Sequence, residues 1–161
     1  MRNLVAILSV AIVVALIVVG ILFYQSARSP LASLETRTIE AAQGEDGITS
    51  VEEAEIYNGE EQYRVARAIN DEGEEEILFY DEEWELIDRR SAGEGVTKGQ
   101  VRSMVEEAEE GVDIRSVRLG YDQNQPVYEI TYRSQEGRFH YYYVTFEDAS
   151  FVKRYSLQET T

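Results

Sequence analysis

TKGQVRSMVEEAEEGVDIRSVRLGYDQNQPVYEITYRSQEGRFHYYYVTF, residues 97–146, is the stretch that decides the fold. It opens on Thr97 and Gln100, the spacing of a capping box that starts a helix. Val101, Met104, Val105 and Ala108 then recur at i, i+3, i+4 and i+7, one apolar stripe of that helix. Glu106, Glu107, Glu109 and Glu110 occupy its outer side. Negative charge near a helix C-terminus is unfavourable, so this end is expected to fray before Gly111. Beyond it the period changes. Residues 112–121 read as extended, DQNQP as a loop, and residues 127–132 as an alternating strand. Glu136-Gly137 marks a turn and residues 138–146 another strand. Glu147-Asp148 then turns into SFVKRYSL, a last short strand. In the aromatic strand, His140, Tyr142, Val144 and Phe146 form one face. This is the better core set and is expected to meet the helix. Phe139, Tyr141 and Tyr143 then point from the outer face of the sheet, beside Glu129 and Thr131.

The same order of elements occurs upstream. Ser29-Pro30 suits the start of a helix, with Ser as cap and Pro at the first position. Its imperfect apolar face is Leu31, Leu34, Thr38, Ala41 and Ala42, and it ends in Gly44-Glu45-Asp46-Gly47. Residues 48–57 read as a strand closing in the turn Asn58-Gly59. Residues 63–69 form the next, with a turn at Asn70-Asp71-Glu72-Gly73. Residues 75–80 continue past Asp81-Glu82-Glu83 into WELI, residues 84–87. Residues 91–95 read as a linker. Ile48 to Tyr57 lies over Val112 to Tyr121, and Tyr63 through Gly73 lies over Tyr128 through Gly137. Asp81-Glu82 parallels Glu147-Asp148, each followed by a short strand and a basic residue, Arg89 or Arg154. The chain is therefore expected to be α+β, with two tandem α-β-β-β-β units, each a helix on an antiparallel sheet. Residues 29–91 form the first unit and residues 92–161 the second.

Ahead of both lies LVAILSVAIVVALIVVGILFY, residues 4–24, without a charge. As a helix it would span roughly 30 Å, the thickness of a bilayer core. Residues 1–28 are thus expected to be a cytoplasmic tip and an uncleaved transmembrane anchor, with both units outside the cell membrane. A cleaved signal peptide fits less well: the run is long, and Tyr24 occupies the small-residue position of the nearest cleavage site. With no Cys in the chain, disulfides, thiolate zinc sites and a thiol nucleophile are excluded.

The formal net charge is −16, and all 31 acidic residues follow the apolar run. Such a surface repels nucleic acid and anionic polymers. The acids are uneven, with 19 of them in residues 29–91. The charge reads as solubility or as a face for a basic partner. Catalytic patterns are scarce. His140 is the single histidine and sits among aromatics in a strand, where a structural role is expected. No phosphate loop precedes a helix. The carboxylates come in exposed blocks rather than as a pair against an apolar wall, which argues against a glycosidase. Asp81-Glu82-Glu83 is the one candidate for loose calcium binding, and it lacks the spacing of an EF-hand loop.

The helix VTKGQVRSMVEEA and the segments NQPVYEITY and GRFHYYYVTFEDASFVKRY resemble the PepSY-like domain of exported bacterial proteins. With one anchor and a weaker first copy, the whole chain resembles the TseB-type regulators of cell-wall elongation in Gram-positive bacteria. The resemblance implies cystatin-like domains, no catalytic residues, no cofactor and no metal. It also implies association with a membrane-bound penicillin-binding transpeptidase, and no small-molecule substrate. Phe139, Tyr141 and Tyr143, as aromatic area on the outer sheet face, are the expected partner-binding residues, the alternative being that this face packs against the first unit. PepSY-like domains also occur in protease pro-regions, so a regulator or inhibitor of a secreted or membrane peptidase is the alternative. A wall glycosidase is the remaining one.

Overall fold

A computed structural model describes residues 13–20, 32–109 and 111–157. Most of the 4–24 run lies outside these residues. The part within them, residues 13–20, is helical with its apolar side chains exposed. Among the described residues no helix is long and apolar enough to cross a membrane.

The rest is α+β. Helix α1, residues 32–43, precedes β1 (Ile48–Asn58), β2 (Gln62–Asn70), β3 (Glu75–Tyr80) and β4 (Leu86–Ser91). A 3-10 turn at Ala92–Glu94 leads to α2 (Lys98–Ala108). Then come β5 (Asp113–Asp122), β6 (Gln125–Arg133), β7 (Phe139–Thr145) and β8 (Phe151–Leu157). The strands make two antiparallel sheets, β1-β2-β3-β4 and β5-β6-β7-β8, each a meander in chain order.

The backbone repeats as the order of elements does. Left-handed conformations fall at Gly47 and Gly111 after the helices, and at Gly73 and Gly137 between second and third strands. Members of each pair are 64 residues apart. A third pair, Trp84 and Ala149, stands in the turn before each last strand. Trp84 is therefore part of a turn, and the expected strand at residues 84–87 begins two residues later. Its ring lies under the Arg37 guanidinium of α1 at 3.9 Å and the Arg64 guanidinium of β2 at 4.4 Å. Cation–π contact thus ties α1 to the sheet at this corner.

Two other expectations are corrected. Of the segment read as a DQNQP loop, Asp122, Gln125 and Pro126 are strand. Asp122 pairs with Gln125, and only Gln123-Asn124 turn, both with positive φ. A two-residue turn of this hand matches the strand twist, and Asn is one of the residues that tolerates it. Ala108 is exposed, because α2 ends there. Thr97 and Gln100 do form the capping box, and Val101 and Val105 are buried.

The two sheets are covered differently. The first presents Ala66, Ala68, Leu78 and Tyr80 to α1, where Ala42 and Thr38 are fully buried. The small side chains on β2 let the helix approach closely. Its opposite face, with Val65, Ile77 and Phe79, joins one core with Leu119, Tyr121, Tyr128, Val144 and Phe146 of the second sheet and Val101 and Val105 of α2. All four of Ile77-Leu78-Phe79-Tyr80 are buried, as a strand covered on both faces requires.

Two tyrosines at equivalent repeat positions interlock the units. Tyr57 of β1 lies against Gly120 of β5, where a Cβ atom would fall 2.4 Å from the ring. Tyr121 of β5 packs in return against Tyr63, with ring centres 5.4 Å apart, and Phe79, 5.5 Å apart. Replacing Gly120 by Ala is expected to destabilise by about 1–3 kcal/mol through overpacking, and Tyr57 by Ala by about 3–5 kcal/mol. In the Tyr57→Ala background, Gly120→Ala should cost less than about 0.5 kcal/mol, because the clash is gone. Chemical denaturation of the four proteins of this cycle measures that coupling.

Candidate functional site

The outer face of the second sheet is where the sequence placed a contact surface. Cross-strand register sets Tyr143 opposite Glu129, Tyr141 opposite Thr131 and Phe139 opposite Arg133. β8 adds Lys153 opposite Tyr143, Tyr155 opposite Tyr141 and Leu157 opposite Phe139. The β1–β2 hairpin of the first unit closes one end of this face. Tyr57, Asn58, Gly59 and Glu60 of the hairpin, with Arg118, Glu129, Tyr141, Tyr143, Lys153 and Tyr155, line a cavity of about 400 Å³.

The three predicted residues separate in this setting. Tyr141 is half-buried and lines the cavity. Tyr143 also lines it but is only 7% exposed, so the expectation of an open residue is corrected there. The first unit's hairpin covers it. Phe139 stands at the far end of the strand, its ring 5.7 Å from the Arg133 guanidinium, and does not line the cavity. Sequence reasoning missed Tyr57, Arg118, Lys153 and Tyr155. The alternation of Lys153, Tyr155 and Leu157 along β8 was a usable signal for two of them. Nothing local to Tyr57 says that it crosses to the other unit.

The floor of the cavity is a buried polar chain. The Tyr143 hydroxyl donates to Glu129 Oε2 at 2.7 Å, and the Tyr57 ring stands beside it. Burial, followed by the bond to Glu129, raises the Tyr143 pKa far above the ordinary phenol value, so the proton stays on the tyrosine. Burial and then the charge of Glu129 do the same for Tyr57. Lys153 closes one side. Its ammonium is 2.8 Å from Asp122 Oδ2 and 3.1 Å from Glu60 Oε1. It also lies over the Tyr143 and Tyr155 rings at 4.9 and 5.5 Å. Burial works against the charge, but Asp122 and Glu60 outweigh it and hold the lysine above its usual pKa. Because Glu60 belongs to the hairpin, Lys153 links the two units.

His140 faces α2 rather than the cavity. Its ring stacks on Tyr132 at 5.0 Å. Arg154 places Nη2 3.2 Å from His140 Nδ1, and its Nη1 2.7 Å from Glu109 at the end of α2. A guanidinium only donates, so Nδ1 accepts and the neutral ring carries its proton on Nε2. Burial, then the Arg154 charge, lowers the His140 pKa below its ordinary 6.5. Asp81, the calcium candidate, accepts from the backbone N–H groups of Glu83 and Glu85, both at 2.9 Å, and so holds its own turn. Among the described residues no cluster of three or more potential ligands is placed to hold a metal ion.

With the geometry in place, comparison with solved structures gives a likeness of fold. The fold is similar to that of the YpmB protein from Bacillus subtilis. The TM-score is 0.66 at 20% identity, over 76% of this chain and 96% of that one. At this identity the likeness concerns the fold alone. No protein-family profile and no curated protein matches the sequence.

Two outcomes follow for the site. Tyr143→Phe removes the donor to buried Glu129 and should destabilise by about 1–3 kcal/mol, whereas Tyr141→Phe should stay within about 0.5 kcal/mol. Urea denaturation of both variants checks this. His140 binds a proton more readily unfolded than folded. Stability should therefore fall as pH drops below about 6.5, above the range in which carboxylates titrate. Denaturation midpoints between pH 7.5 and 5 should show this slope in the native chain and a flatter one in His140→Gln.

Proposed function

We propose that this chain is a membrane-anchored, extracytoplasmic binding protein that regulates cell-wall elongation through contact with a penicillin-binding transpeptidase. The observation that carries the binding role is the tyrosine-lined cavity at the junction of the two units. Its walls come from both units, and its floor is held by the buried Tyr143–Glu129 hydrogen bond. Rigid aromatic side chains on such a frame offer contact area at low entropic cost. The cell-wall role rests on the resemblance of the second unit to PepSY-like domains and of the whole chain to TseB-type regulators. The cystatin-like description of each unit belongs to the same reading, and the helix-on-meander order accords with it. The apolar run at residues 4–24 supplies the anchor. Held at the membrane surface, a weak contact with another anchored protein gains from a raised effective concentration.

Site-specific photo-crosslinking in the cells that make the protein tests this, with the full chain and its apolar run intact. A crosslinker at Tyr155, beside the cavity, should capture a penicillin-binding transpeptidase, and one at Glu107 on the outer side of α2 should not. Equal capture from both positions, or capture of no transpeptidase from Tyr155, would overturn the proposal. Capture of a membrane peptidase instead would move the reading to a peptidase regulator.

A further inference from the structure

The seam between β1 and β5 holds an unsatisfied charge. Arg118 is exposed on β5 and lines two adjoining cavities, of about 400 and 390 Å³, that share Tyr57 and Asn58. Among the described residues it is the basic side chain that makes no ion pair, hydrogen bond or ring contact. Its cross-strand neighbour Glu129 is opposite it in register, but that carboxylate accepts from Tyr143 instead. In a chain with 31 acids and 15 bases, an unpaired guanidinium is conspicuous. A third cavity, lined in part by Lys98, Arg67, Glu53 and Glu75, shows the contrast. There Lys98 sits 2.9 Å from Glu55, and Arg67 is paired with Glu53 and Glu75.

The second cavity is lined by Glu55, Ile56, Tyr57 and Asn58 of β1 and by Arg118 and Leu119 of β5. Among the described residues each of these strands has a hydrogen-bonded neighbour on one side only, β2 or β6. An edge strand presents backbone donors and acceptors in the spacing an extended peptide matches. We infer that this seam receives an extended segment of a partner protein, with a carboxylate side chain of that segment held by Arg118. A guanidinium binds one carboxylate through two parallel bonds. The acids nearby decide against a polyanion. Glu55 and Glu60 are paired with lysines, but Glu129, held by a neutral hydroxyl, and Glu35 of α1 keep their charge beside the two cavities and would repel further negative charge. One carboxylate flanked by neutral or basic residues fits; a phosphate-rich ligand does not.

This inference rests on the reading of the chain as a binding protein, but not on the identity of its partner. The test uses the full-length chain and immobilised pentapeptides of the form X-X-Glu-X-X, randomised at X, with Gln-centred and phosphoserine-centred sets alongside. The Glu set should retain the protein about tenfold more than the Gln set, the scale of a charge-assisted hydrogen bond. Arg118→Gln should abolish that preference without moving the thermal midpoint, since no partner is lost. Equal retention by Glu and Gln sets, a preference that survives Arg118→Gln, or stronger retention by phosphoserine would overturn it. A Glu preference without transpeptidase capture in cells would leave this site standing and remove only the proposed partner.

Discussion

The ring of Tyr57 lies against the backbone of β5 because residue 120 has no side chain. The junction of the two units depends on that contact. β1 and β5 are both edge strands, and an exposed edge is a standing invitation to unwanted pairing. Here the two edges meet through side chains at Tyr57 and Gly120 rather than through ladder hydrogen bonds, and the adjoining stretch of the seam stays open as a cavity. Tyr121, at the equivalent position one repeat later, packs the other way onto Tyr63 and Phe79. One position of the repeat thus supplies both halves of the interlock. With both faces of its sheet covered, the first unit is built into the second.

Charge follows packing here rather than leading it. The first unit carries most of the acid, and the second supplies cations that meet it across the seam. Lys98 reaches Glu55, Lys153 reaches Glu60, and in the reverse sense Arg90 stands 3.7 Å from Glu147. Surface pairs of this kind, with at least one partner well reached by solvent, contribute about 0–1 kcal/mol each. They bias which surfaces meet, while burial of the aromatic rings supplies the stability. Against this matched background Arg118 is the exception, and it sits at the place where both units contribute walls to the cavities.

Much of the architecture was legible. Helix and strand periods, the capping box at Thr97 and the turn glycines announced two copies of one unit, and the strand order of both sheets agrees with that reading. The assignment of His140 and Val144 to the helix side of β7 also agrees. The misreadings were local. Gln123-Asn124 makes a tight turn where five polar residues suggested a loop, and Trp84 takes a turn conformation that a bulky residue seldom adopts. The continuous run Ile77-Leu78-Phe79-Tyr80 was a sign of two-sided burial that the one-helix-per-sheet expectation passed over.

Periodicity, capping and turn chemistry act over a few residues. The amino-acid sequence by itself therefore determined the α+β class, the two repeats, the excess of acid, and which residues of β7 share a face. The fate of Phe139, Tyr141 and Tyr143 was decided only in the tertiary structure. Tyr143 is buried because a hairpin about 85 residues earlier lies over it, Tyr141 lines the cavity that hairpin closes, and Phe139 stands clear of it. The lone guanidinium of Arg118 likewise has meaning only by position. A sequence shows that a charge exists, and only the fold shows whether an opposite charge is within reach.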